Sequence, residues 1–190
     1  MQSDRFEQAL AHHCAPTFCF LKPASLLCFP RLAGLPALLR RYRAAFAPYG
    51  VALELVRGGA AGWLVLVYRP DLLMRQLSQP AVGALLARAG YPSGGLAAQL
   101  AYLKRRLQTG DGFPHEIGLF LGYPTADVCA FQKYKGAGCK LCGYWKVYTD
   151  VEQAKRSFAA FDACRAAFEG ALRAGNTVTQ LLAMQPMRTA

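Results

Sequence analysis

Acid is what this chain lacks most. Eleven Asp and Glu stand against 22 Lys and Arg in 190 residues, a net charge of +11, and no acid falls between Glu7 and Glu54. Such an excess favours anionic ligands or partners without specifying which. Charge of either sign is sparse at 17%, while 54% of the residues are apolar, which excludes an intrinsically disordered chain. Long apolar runs are also missing. Nothing approaches the roughly 18 uninterrupted apolar residues of a spanning helix, so no membrane association is expected. The opening Met1 to Glu7 is charged and is followed by no apolar core, so it does not read as a signal peptide. Seven cysteines cannot all pair internally, and reduced thiols in a cytoplasmic protein are the simpler expectation. There is no internal repeat, no phosphate loop after the Gly58-Gly59 or Gly94-Gly95 pairs, and no helix-turn-helix or zinc-finger pattern.

What is present reads as one domain over residues 1–190. A first helix from Ser3 to about Ala11 buries Phe6 and Leu10, and Pro16, Pro23 and Pro30 punctuate the next stretch. Ser25 to Phe29 can be a buried strand. Pro36 opens a helix with Leu35, Leu38, Leu39, Tyr42 and Phe46 on its apolar face. Val51 to Arg57 alternates, and the continuous apolar run Trp63 to Tyr68 returns as the central strand of an antiparallel hairpin. Short helical pieces follow Pro70, then a firmer helix carries Leu96, Leu100, Leu103 and Leu107. Ile117 to Leu121 and Gly143 to Thr149 read as strands. Thr125 caps a helix between them, and Asp150 caps a long final helix with Ala154, Phe158, Phe161, Cys164, Phe168 and Leu172 on one face. The expected class is α/β (α+β), with helices packed on a small mixed β-sheet containing an antiparallel hairpin.

Three segments carry a resemblance. They are Cys14-Ala15-Pro16-Thr17 with Lys22, the run Phe113-Pro114-His115-Glu116-Ile117-Gly118-Leu119-Phe120-Leu121-Gly122-Tyr123-Pro124 with Asp127-Val128, and Cys142-Gly143-Tyr144-Trp145-Lys146-Val147-Tyr148. Together they resemble the bacterial domain of unknown function 3793 family over nearly the whole chain. The resemblance implies a bacterial cytosolic origin and a single domain, and it assigns no activity.

The residues themselves leave three readings open. In the first, a thiol-dependent enzyme acts on a small anionic molecule. Cys14 is its nucleophile, because positive surroundings favour thiolate, and His115 is its acid/base, with Glu116 adjacent. Lys22, Tyr123 and Lys146 bind the substrate, and Pro16 and Pro114 are expected to bring Cys14 and His115 to one cleft. In the second reading, Cys139-Lys140-Leu141-Cys142 supplies half of a metal or redox-cofactor site, zinc or iron, completed by Cys14 or His115. The third is a non-enzymatic basic module that docks an acidic partner. Its cations would be Lys22, Arg31, Arg40, Arg41 and Arg43, with Lys133, Lys135, Lys140 and Lys146 among aromatics. Nucleic acid is the minority expectation, since Tyr144 and Trp145 suit a core as well as base stacking.

Overall fold

The run Trp63–Tyr68 forms β3, and it is the middle strand of a three-stranded sheet, between β1 (Ala24–Phe29) and β2 (Ala52–Arg57). This computed structural model describes residues 2–29, 34–59, 62–109 and 112–185, so Pro30 and Arg31 lie outside the described residues. Every strand pairing is antiparallel, with Ala24 opposite Tyr68 on one side and Leu53 opposite Val67 on the other. Successive side chains of a strand point to opposite faces, and here both faces are covered. Val65 and Val67 pack toward α1 (Gln2–Phe18), α2 (Leu35–Phe46), α8 (Val151–Arg173) and α9 (Val178–Ala183). Leu64 and Leu66 pack toward α3 (Pro70–Leu77), α4 (Pro80–Arg88), α5 (Gly95–Gln108), α6 (Ile117–Phe120) and α7 (Thr125–Tyr134). Each of these four side chains is buried and contributes about 1.5–3 kcal/mol by leaving water, which is why the strand reads as a continuous apolar run.

Three elements depart from expectation. The first helix runs on to Phe18, with Pro16 inside its last turn, and Ser3 lies within it, its hydroxyl 3.1 Å from that of Tyr42. Pro16 cannot donate to the carbonyl four residues before it, so the helix end is short of one backbone bond. Arg69, just after β3, supplies what the helix end needs. Its guanidinium donates to the carbonyls of Thr17 (2.9 Å), Phe18 (2.7 Å) and Tyr49 (2.9 Å), and it lies 3.5 Å from the Phe20 ring centroid. Burial lowers its pKa to about 10, still well above neutrality, so it remains a cation.

The expected strand at Ile117 to Leu121 is instead the single helical turn α6, buried on every side. Gly143 to Thr149 is no long strand either. It contributes to a two-residue hairpin of β4 (Leu141–Cys142) and β5 (Lys146–Val147), with Cys142 opposite Lys146. The long helix α8 starts after Asp150 as expected, with the Asp150 carboxylate accepting from the Gln153 amide at 2.9 Å, but it is not the final helix, since the short α9 follows it. Among the described residues, no helix is long and apolar enough to cross a membrane.

Candidate functional site

The segment after Pro114 is folded by close approach. Gly122 has φ +78°, and a Cβ there would lie 2.5 Å from Cδ of Pro23, so only glycine lets α6 turn against the start of β1. At Gly118 a Cβ would come within 2.9 Å of the Val128 side chain and 3.1 Å of Tyr123. These contacts seat α6 and α7 together and point Tyr123 at the β4–β5 hairpin, where its ring stacks on Trp145 with centroids 5.3 Å apart.

Asp127 fixes the hairpin. Its buried carboxylate accepts from Trp145 Nε1 (2.8 Å), from the Tyr148 and Thr149 amides (2.9 and 3.0 Å) and from the Thr149 hydroxyl (2.9 Å). A buried carboxylate needs such donors, since one left unpaired would be strongly penalised. The Lys146 ammonium adds a tie to the Gly136 carbonyl at 2.8 Å.

Between these elements and the edge strand β1 lies a cavity of about 400 Å³. Its walls are apolar and largely aromatic, including Leu26, Phe113, Phe131 and Trp145, while His115, Tyr123, Cys142 and Lys146 bring the chemistry. The His115 ring meets Phe131 edge-on, centroids 5.0 Å apart, and neither ring nitrogen has a hydrogen-bond partner among the described residues. Burial pushes the Tyr123 phenol up to about 12, so at neutral pH it is a neutral hydroxyl. The cavity therefore offers an apolar slot with one cation, one imidazole, one phenol and one thiol on its lining, beside the Asp127 carboxylate that the hairpin already engages.

Several expected site residues lie elsewhere. Cys14 is completely buried in α1, one face of which is Phe6, Leu10, Cys14 and Phe18, and it packs in the core on the other side of the sheet. Burial pushes its thiol far above the ordinary range, and nearby Lys22 offsets this only in part. The expected cleft shared by Cys14 and His115 is therefore not formed, because Pro16 belongs to a helix rather than to a loop mouth. Lys22 is buried too. Its ammonium lies 5.4 Å from the Tyr123 ring centroid and 5.8 Å from that of Phe161, against the cavity's aromatic wall but not lining it. Burial lowers its pKa to about 8, opposed by the neighbouring Cys14. Glu116 points away from His115. It accepts from the Tyr91 hydroxyl and pairs with Arg106, both at 3.3 Å, a structural tie between the α6 turn and α5.

Cys139 does not line the cavity, and Cys142 does. Among the described residues, no three or more His, Cys, Asp or Glu side chains are grouped so as to hold a metal ion. The basic groups are not one patch: Lys22 is buried, and Arg43 Nε donates to the Leu53 carbonyl at 2.7 Å. The sequence assigns no role to Asp127 or Phe131, and to Trp145 only core packing or base stacking. Asp127 is visible there as an acid in register after the Gly-Tyr-Pro turn, since its acceptor role depends on a hairpin some 20 residues later.

No curated protein and no solved structure matches the chain. A family model described as "Protein of unknown function (DUF3793)" matches residues 10–182, which takes in the second half of α1 and the α6–α7 run and hairpin that build the cavity. The chain belongs to the DUF3793 family.

Proposed function

We propose that this protein binds a small, largely apolar anionic molecule in the cavity between β1, the α6–α7 segment and the β4–β5 hairpin. Lys146 anchors the anion, and His115 exchanges a proton with it. The observation that carries this reading is convergence: His115 and Tyr123 from one stretch of chain, and Cys142 and Lys146 from another, line one cavity of about 400 Å³. Ligand sites are typically concave and apolar with a few placed polar groups, and Phe113, Phe131 and Trp145 suit a flat body. If the ligand is also chemically transformed through a thiol, the nucleophile is Cys142 rather than Cys14, because Cys142 is exposed, lines the cavity and pairs across the strands with Lys146. Seven free cysteines accord with a cytoplasmic setting.

Calorimetric titration with naphthalene-2-carboxylate and its neutral analogue naphthalene-2-methanol tests the reading. A charge-assisted bond is worth about 1.5–3 kcal/mol, so the acid should bind roughly tenfold tighter or more. Lys146→Met should erase that preference while the alcohol still binds. Cys142→Trp, at an exposed rim position, should block both ligands. Equal binding of acid and alcohol by the native protein, or no binding of either at millimolar concentration, would overturn the proposal.

A further inference from the structure

Helices α1 and α8 pack antiparallel, and two contacts fix their register. His12 Nδ1 meets Glu169 Oε1 at 2.7 Å near one end, and the Lys22 ammonium meets the Phe161 ring at 5.8 Å near the other. Residue numbers rise along one partner as they fall along the other, which carries Cys19, one residue past the end of α1, toward the part of α8 that holds Cys164. The Phe18 and Phe168 rings lie with centroids 5.5 Å apart, and Cys19, next to Phe18, and Cys164, one turn before Phe168, both pack on the same apolar cluster as those rings. The Cys19 amide still donates to the Ala15 carbonyl at 2.8 Å, so Cys19 rides on the helical end that Arg69 clamps. Both cysteines are half-buried rather than sealed, unlike Cys14, so a small oxidant can reach them.

We propose that Cys19 and Cys164 are a redox site, a reversible disulfide that joins the end of α1 to α8. The oxidant is a small disulfide such as glutathione disulfide. One cysteine thiolate attacks it, forming a mixed disulfide and releasing one glutathione thiolate. The second cysteine then attacks the protein-bound sulfur and releases the second glutathione. Overall, the two protein thiols lose two protons and two electrons, and the glutathione disulfide gains them as two thiols. Burial, and next the Cys164 thiol, hold the Cys19 thiol protonated and above the ordinary range, with the Arg69 guanidinium opposing them. The closed loop spans most of the chain, and cross-links of long loops restrict the unfolded state most.

The test uses the full chain, equilibrated with excess glutathione disulfide, quenched with iodoacetamide, digested and read by tandem mass spectrometry. The expected product is a Cys19–Cys164 linked peptide lighter by two hydrogens and cleaved by dithiothreitol. The oxidised protein should melt roughly 5–15 °C higher. Cys164→Ser should abolish both the link and the shift, leaving Cys19 open to alkylation or to capping by glutathione. Native protein whose Cys19 and Cys164 are both alkylated, or each capped separately by glutathione, would overturn the proposal. So would a Cys164→Ser variant in which Cys19 links to another cysteine.

Discussion

Replacing Asp127 perturbs the fold and the cavity at once, and the size of the effect follows from its bonds. The carboxylate accepts four hydrogen bonds of 2.8–3.0 Å, three at one oxygen and the Trp145 indole at the other. A net value of about 1 kcal/mol for each bond gives roughly 4 kcal/mol for Asp127→Ala. Thr149 is exposed, so water can replace part of what its amide and hydroxyl lose, and the expected cost is about 3 kcal/mol. Asp127→Asn is more selective. Its carbonyl can keep the three bonds to Tyr148 and Thr149, but its amide then confronts the indole N–H donor to donor, at a cost of about 1–2 kcal/mol. Urea unfolding should show the alanine variant shifted down by roughly 1–2 M and the asparagine variant by roughly a third to two thirds of that. In a Trp63→Phe background Trp145 is the remaining tryptophan, and its emission should change in the folded baseline of both variants. An alanine variant that loses under 1 kcal/mol and leaves the Trp145 emission unchanged would refute the view that Asp127 holds the hairpin.

Lys22 and Gly122 offer two more tests. Lys22 titrates near 8 in the fold against 10.5 for the free side chain, so between those pH values the unfolded chain binds the extra proton and stability rises with pH. Lys22→Met should therefore stabilise the protein by about 2–3 kcal/mol at pH 7, with the gain fading by about pH 10.5. A variant less stable at pH 7, or a gain independent of pH, would contradict the buried cation. Gly122→Ala must place a Cβ 2.5 Å from Pro23 at φ +78°, and thermal unfolding should show a loss of about 2–4 kcal/mol. A change below 0.5 kcal/mol would show that the α6 turn can move off β1.

Where one face or both faces of an element meet a single environment, the fold was legible. Trp63 to Tyr68 reads as a central strand because both of its faces are covered, and α8 reads from its apolar spacing and its Asp150 cap. The α6 turn was not legible, because four consecutive buried residues look alike whether the backbone is extended or helical. The decision lies in Gly122 and its approach to Pro23, a contact between segments about a hundred residues apart. The extension of α1 past Pro16 is likewise settled from outside, by Arg69 on the far side of the sheet hairpin.

The site divides in the same way. Cys14 was misplaced by reading a proline as the end of a helix, although Phe6, Leu10, Cys14 and Phe18 follow one another at intervals of four and belong to one helical stripe. That spacing outranks the proline, because a stripe of four large contacts outweighs one missing backbone bond. In the motif segments the sequence mixes two jobs that only packing separates. Gly118, Gly122 and Asp127 are occupied with the scaffold: two make room for neighbours, and the third has its acceptors taken up by the hairpin. Glu116 is likewise engaged by Tyr91 and Arg106. His115 and Tyr123 keep polar atoms with no hydrogen-bond partner among the described residues, and both open onto the same apolar cavity. Both residues are only partly buried, so these polar atoms remain available to a ligand. The proposed ligand site accordingly rests on His115, Tyr123, Cys142 and Lys146, which line that cavity, whereas Cys14 is sealed in the core.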